Sequence, residues 1–240
     1  MTKIILAVLA HPDDESFGMG GTLALYARKG YDVYYVCATR GEAGTVDPEH
    51  MKGFNSVGEL REGELRCAAQ HLGLKDVFLL DYRDSGMLGM EDNKHPDAQI
   101  NHSIDEVAGK VVKYIRELKP DIVLTFDPIG GYRHPDHIHI QQATVLAFEK
   151  SDDASFHPES GLPFKARALY FHVDQYFTSL GFAESAARMF ICCPCGVMHI
   201  GKMFSFPSKK PFVKFDRLFV IARRDFNVDN IPFGHNTLLF

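Results

Sequence analysis

The sequence predicts an α/β protein: a three-layer, Rossmann-like, mainly parallel sheet with helices on both faces. Three observations point there. Apolar runs without polar alternation, such as IILAVLA at residues 4–10, read as strands covered on both sides. Segments of helical periodicity long enough to serve as crossovers lie between them. The two kinds of segment alternate as far as residue 150, the pattern of right-handed crossovers returning to one sheet.

The first strand, 4–10, stops at His11. Residues 19–29 then read helical, with Met19, Thr22, Leu23, Tyr26 and Ala27 on one side and Gly30 as the stop. Strands follow at 33–38 and 77–80, separated by a helix over 58–73 that carries Leu60, Leu65, Ala68, Ala69 and Leu72. Ser103 and Glu106 form a capping box ahead of Ile104, Val107, Ala108, Val111, Val112, Ile115 and Leu118 at helical spacing. Pro120 ends that helix, a fourth strand spans 122–126, and residues 137–150 read as a fourth helix. Beyond 150 the pattern thins to strands at 168–173 and 218–222, with ICCPCGVMH and FSFPSKKPF unassigned between them. Residues 1–150 read as the core, and 151–240 as the C-terminal part of the same domain, completing the sheet and shaping specificity.

Composition narrows the function. Hydrophobic residues at 45% and charged residues at 24% supply an ordinary globular core. A net charge of −5 and no run of Lys or Arg argue against nucleic acid or an anionic membrane as partner. No apolar run reaches the length of a bilayer span. Lys3 and residues 4–10 mimic a secretory leader, but the run is short and no small-x-small site precedes the acids. Five cysteines without framework spacing suit a reducing, cytoplasmic setting.

The chemistry sits in HPDDE, at residues 11–15, and HPDH, at 134–137. Each lies beyond the carboxyl end of a strand, where parallel sheets bind ligands. His11 and Asp14 can converge at a strand-to-helix turn, and His134 and His137 can share a helix face. Two histidines and one aspartate, with a fourth position left to water, form a ligand set for catalytic Zn²⁺, which lowers the pKa of water to roughly 7. The adjacent carboxylate can then take that water's proton, and the remaining histidine can stabilise an oxyanion or protonate a leaving group. Hydrolysis of a carbonyl compound follows. A polar turn or a helix start explains either motif alone, but not both together at strand ends.

AHPDDE, TRGE, the RxxEL pattern at 61–65, RDSGM at 83–87 and DPIGGYRHPDH together resemble the LmbE-like, or PIG-L, family of zinc-dependent N-acetylglucosaminyl deacetylases. Of its branches, the chain looks most similar to the GlcNAc-inositol deacetylases and conjugate amidases of mycothiol metabolism. The resemblance covers about residues 1–150, making that segment a zinc-hydrolase core. It implies one Zn²⁺ per chain held by His11, Asp14 and His137, with Asp13 as general base. It further implies that His134 stabilises the oxyanion or acts as acid, that Asp136 orients His134, and that Tyr132 contacts the substrate carbonyl. Arg61 and Asp84 match positions that bind sugar hydroxyls, Arg40 is placed with them as substrate-binding, and Arg40 and Glu42 are expected to shape the pocket. The implied partner is a small amino-sugar substrate, and the implied assembly a homo-oligomer.

Rivals fare less well. Gly18, Gly20 and Gly21 suggest a dinucleotide loop, but Leu23 stands where the third glycine belongs, and Asp13, Asp14 and Glu15 would repel a pyrophosphate. A non-catalytic metal- or sugar-binding protein would need neither Asp13 nor His134. Amidase action on a mycothiol-type thiol conjugate, or deacetylation of a chitin-type disaccharide or antibiotic precursor, keeps the chemistry and changes the substrate. Cys192, Cys193 and Cys195 near His199 are too cramped for a second zinc site and read as buried thiols. The HPD tripeptide at 95–97 falls in a polar loop, and FHVDQYF at 171–177 is read as pocket lining or packing.

Overall fold

The computed structural model describes residues 2–172 and the backbone of three strands farther along, at 188–192, 198–202 and 219–222. Strand β1 (Ile4–Leu9) is central. It pairs in parallel with β2 (Asp32–Thr39), from Ile4 opposite Asp32 to Leu9 opposite Cys37. Outside β2 lies β3 (Asp76–Tyr82). On its other side β1 pairs with β4 (Ile122–Phe126), which in turn pairs with β5 (Ala168–His172). Strands β6 (Arg188–Cys192) and β7 (Met198–Lys202) form a separate antiparallel ribbon, and β8 (Phe219–Ala222) lies antiparallel along β5. The main sheet therefore runs β3-β2-β1-β4-β5-β8.

The helices of the described residues are α1 (Asp14–Phe17), α2 (Gly20–Arg28), α3 (Val57–Leu72), α4 (Ile104–Leu118), α5 (Gly130–Arg133) and α6 (Pro135–Lys150). Helices α2 and α3 pack together, as do α4 and α6. The chain steps from β1 outward to β2 and β3, then crosses back to β4 and β5. Crossovers of constant right hand therefore put the two helix pairs on opposite faces. With both faces covered, Leu6 to Leu9 are all buried, which is why β1 shows no polar alternation.

The expected strands and long helices are present, with ends shifted by a residue or two. The Glu106 N–H donates to Ser103 Oγ at 3.1 Å, as a capping box requires. The Glu106 carboxylate instead receives Tyr82 OH and the ring of His102, so only half of the box forms. Helix α3 starts one residue early because Ser56 caps it, accepting the Glu59 N–H. The single-turn helices α1 and α5 are too short to carry a periodic signal. The 85–102 segment is built from two 3₁₀ turns, Glu91–Lys94 and Gln99–Asn101, and is anchored by the fully buried Ala98 and Gln99. Cys193, Cys195 and most of 171–177 lie outside the described residues. Cys37 and Cys67 are free thiols.

Arg116 does on α4 what no sequence pattern announces. Buried under the loop that follows α6, it donates to the carbonyls of Ser151, Asp153, Phe156, His157 and Gly161. Replacing it removes the donor from five main-chain acceptors at once. Arg116→Met is expected to destabilise the protein by about 3 kcal/mol, read as a lower urea midpoint in equilibrium unfolding.

Candidate metal centre and active site

The order of the sheet brings the two motifs together. Strands β1 and β4 are neighbours whose crossovers leave in opposite directions, so a crevice opens beyond their carboxyl ends. The chain leaves β1 through Asp13 at φ 106°, a left-handed conformation that costs an L-residue roughly 1–2 kcal/mol. Buried Glu15 holds the turn, accepting the Asp13 N–H at 3.0 Å and the Ser16 hydroxyl at 2.6 Å. Asp14 folds back over the strand end, its Oδ2 accepting the N–H groups of His11 at 2.7 Å and Ala10 at 3.2 Å. The two adjacent aspartates thus separate: Asp14 into the floor, Asp13 to the cavity side with its side chain half exposed.

Beyond β4, Asp127 Oδ1 accepts the Gly131 N–H and fixes the turn into α5. A Cβ on Gly130 would come within 3.0 Å of His137 and Ile138, so glycine is required for this close approach. His134 caps α6, its Nδ1 accepting the Asp136 N–H at 3.2 Å, with Pro135 at the first helical position. His137, one turn on, stacks against Phe126 with ring centroids 3.9 Å apart.

His11 Nδ1 lies 3.2 Å from His137 Nε2 and 3.6 Å from Asp14 Oδ2, and Asp14 Oδ1 lies 3.4 Å from His137 Nε2. A tetrahedron of zinc–nitrogen or zinc–oxygen bonds has donors about 3.3 Å apart, and the two histidine nitrogens stand at that spacing, while Asp14 turns a different oxygen to each, Oδ2 toward His11 and Oδ1 toward His137. Two groups of buried side chains have donor atoms within 4.8 Å of one another: His11, His134 and His137, and His11, Asp84, His134 and Asp136. The opposite nitrogen of His11 faces Asp136 Oδ2 at 3.1 Å and Asp84 Oδ1 at 3.4 Å.

The electrostatics are those of a cation site. Burial raises the Asp14 carboxyl to about 7, although the neighbouring His11 works against it. Burial also lowers His137 to about 2 and His134 to about 4, with the charge of His11 adding to both effects. His11 goes the other way: burial disfavours its charge, but Asp136, Asp84 and Asp14 outweigh it and raise its pKa. Burial opposes ionisation of Asp84, yet the His11 hydrogen bond and the Gly86 N–H hold it below the usual carboxylate range. Positive charge is stabilised at the centre of this group, while the second histidine facing it stays neutral, as a metal ligand must.

Above the floor lies a cavity of about 710 Å³ lined by His11, Asp13, Arg61, Asp84, Tyr132 and His134, among others. Arg61 is a clamp. It donates to the carbonyls of Gly41 and Pro12 and to Asp13 Oδ2, the last at 3.0 Å. A Cβ on Gly41, at φ +72°, would lie 1.9 Å from the Arg61 guanidinium, so that residue must be glycine. Burial raises the pKa of Asp13, partly offset by Arg61, and burial followed by the nearby carboxylates raises that of the Tyr132 phenol.

One expectation needs correction. Arg40 does not line this cavity; it pairs with Glu62 and Asp81 at 2.7 Å each, because those carboxylates on α3 and β3 draw its guanidinium away. Asp136 contacts His134 through its backbone N–H on Nδ1, while its carboxylate, within 4.8 Å of a His134 nitrogen, is hydrogen-bonded to His11 and Ser85. Glu42 acts indirectly, accepting the Asp84 N–H. Two residues were not singled out from sequence. Glu15 was visible as the third acid of HPDDE, whereas Ser85, inside RDSGM, carries no signal beyond its place beside Asp84.

A profile of PIG-L, described as GlcNAc-PI de-N-acetylase, matches residues 6–148. The 1D-myo-inositol 2-acetamido-2-deoxy-alpha-D-glucopyranoside deacetylase of Streptomyces avermitilis is 40% identical over 190 residues, covering 75% of this chain and 65% of the relative. The protein of the same name from Rhodococcus erythropolis is 40% identical over 182 residues, covering 72% and 62%. The chain thus spans just under two thirds of the length of these relatives. Among solved structures, the N,N'-diacetylchitobiose deacetylase of Pyrococcus horikoshii aligns with a TM-score of 0.58 at 27% identity, covering 72% of this chain and 61% of its own. Both clusters that meet at the crevice fall inside the matched segment, and the chain belongs to the PIG-L family.

Proposed function

We propose that this protein is a zinc-dependent hydrolase that removes the N-acetyl group from an N-acetylglucosamine-containing substrate. The observation that carries the reading is the convergence of His11, Asp14 and His137, with donor atoms 3.2 to 3.6 Å apart, beside a further carboxylate, Asp13, on the cavity side. Zinc in that trio supplies a Lewis acid and lowers the pKa of water to about 7. The deacetylase names of the relatives support the choice of bond, and free thiols at Cys37 and Cys67 suit a cytoplasmic setting.

The chain's own residues then have distinct tasks. Asp13, held by Arg61 and by the Glu15 bond to its N–H, takes the proton from the attacking water and returns it to the departing amine. The water oxygen bonds to the carbonyl carbon, the C–N bond breaks, and acetate and the free amine result. His134 receives the Asp136 N–H on Nδ1, so its neutral ring carries the proton on Nε2 and donates to the developing oxyanion. Tyr132, at the cavity wall with its phenol kept protonated, is a second donor toward the same oxygen. Three of the five N–H donors of Arg61 are bound within the chain, leaving two for sugar hydroxyls, with Asp84 beside them.

Asp14→Ala is expected to lose zinc by elemental analysis. Asp13→Ala should keep its zinc while turnover in a free-amine assay falls about 100- to 10,000-fold. Full zinc in the Asp14 variant would show the ligand assignment to be wrong. His134→Ala should also retain zinc and lose about 100- to 1,000-fold in kcat, with KM little changed. Across a panel of N-acetylglucosamine conjugates, the zinc-loaded protein should release amine from at least one; a zinc-loaded protein silent across the panel would favour a binding role.

A further inference from the structure

Ser85 lies in the loop after β3, outside the ligand trio, and is fully buried, as is Asp136. Its backbone N–H donates to Asp136 Oδ2 at 2.9 Å and its hydroxyl to Asp136 Oδ1 at 2.5 Å. One residue therefore grips both oxygens of one carboxylate. Ser85 is itself pinned, because its Oγ accepts the Ile100 N–H at 3.2 Å and its carbonyl accepts Asn93 Nδ2. The gripped Oδ2 faces His11 Nε2 at 3.1 Å, nearer than Asp84 Oδ1 at 3.4 Å. The other oxygen of Asp84 is in contact with the Ala43 N–H, and Oδ1 also accepts the Gly86 N–H.

We propose that Ser85 is a positioning residue for the metal: through Asp136 it fixes the His11 ring with Nε2 protonated and Nδ1 directed at Asp14 and His137. A histidine ligand needs its second nitrogen tied to an acceptor, which sets both tautomer and ring angle. Asp136 provides that acceptor only while its own plane is held, and Ser85 is what holds it. The arrangement ties the 85–102 segment to the metal floor, so the loop bearing Met87 and Met90 at the cavity edge shares an anchor with a metal ligand.

The inference rests on the zinc site proposed above, and chelator competition on the purified full chain tests it. Wild-type protein should bind zinc tightly, and Ser85→Ala should bind it about 10- to 100-fold more weakly with an unchanged far-UV spectrum. Ser85→Cys, which keeps the volume and a weak donor, should fall between them. In an Asp136→Asn background, removing the Ser85 hydroxyl should cost little more, since both changes break one chain of contacts. Arg116→Met serves as a stability control and should keep wild-type zinc affinity. A Ser85→Ala affinity within about twofold of wild type, or full additivity with Asp136→Asn, would overturn the proposal. Failure of the wild-type protein to bind zinc would instead sink the zinc reading itself.

Discussion

His11 is the residue on which the site's charge balance turns. Asp14, Asp84 and Asp136 all approach its ring, and all are largely removed from water. Such a group favours a positive charge at its centre. The protein meets this demand by keeping His134 and His137 neutral through burial and raising the proton affinity of His11. A divalent cation would answer the same demand more fully. The acids that look costly in the sequence are what make this crevice favourable to a cation.

That balance is possible only where two strand ends meet. β1 brings His11 and Asp14, and β4, through the turn at Gly130, brings His134, Asp136 and His137. The loop after β3 adds Asp84 and Ser85, and α3 adds Arg61. Four separated parts of the chain thus contribute to one crevice at the switch point of the sheet. The loops can be specialised because the sheet beneath them is rigid and buried on both faces.

The division of labour between the adjacent aspartates is also a backbone effect. The positive φ of Asp13 swings its side chain to the cavity while Asp14 remains over the amides of Ala10 and His11. Glu15 and Arg61 hold that turn from two sides, so they decide which carboxylate lies in the floor and which faces the cavity.

Much of this was legible in the sequence by itself. Unbroken apolar runs and helical periodicity determine the mainly parallel sheet, since each pattern reports which faces are covered. The paired HPDDE and HPDH motifs identify side chains that meet in the crevice, because short spacings at strand ends restrict which of them can converge. The tertiary structure alone decided the partners across the crevice. Arg40 is drawn off by Glu62 and Asp81, Asp136 turns to His11 rather than His134, Arg61 spends most of its donors on the chain, and Ser85 completes the grip on Asp136. Each of these depends on contacts between residues about 20 to 125 positions apart, and a local pattern carries no information about which distant group will reach a long or buried side chain first.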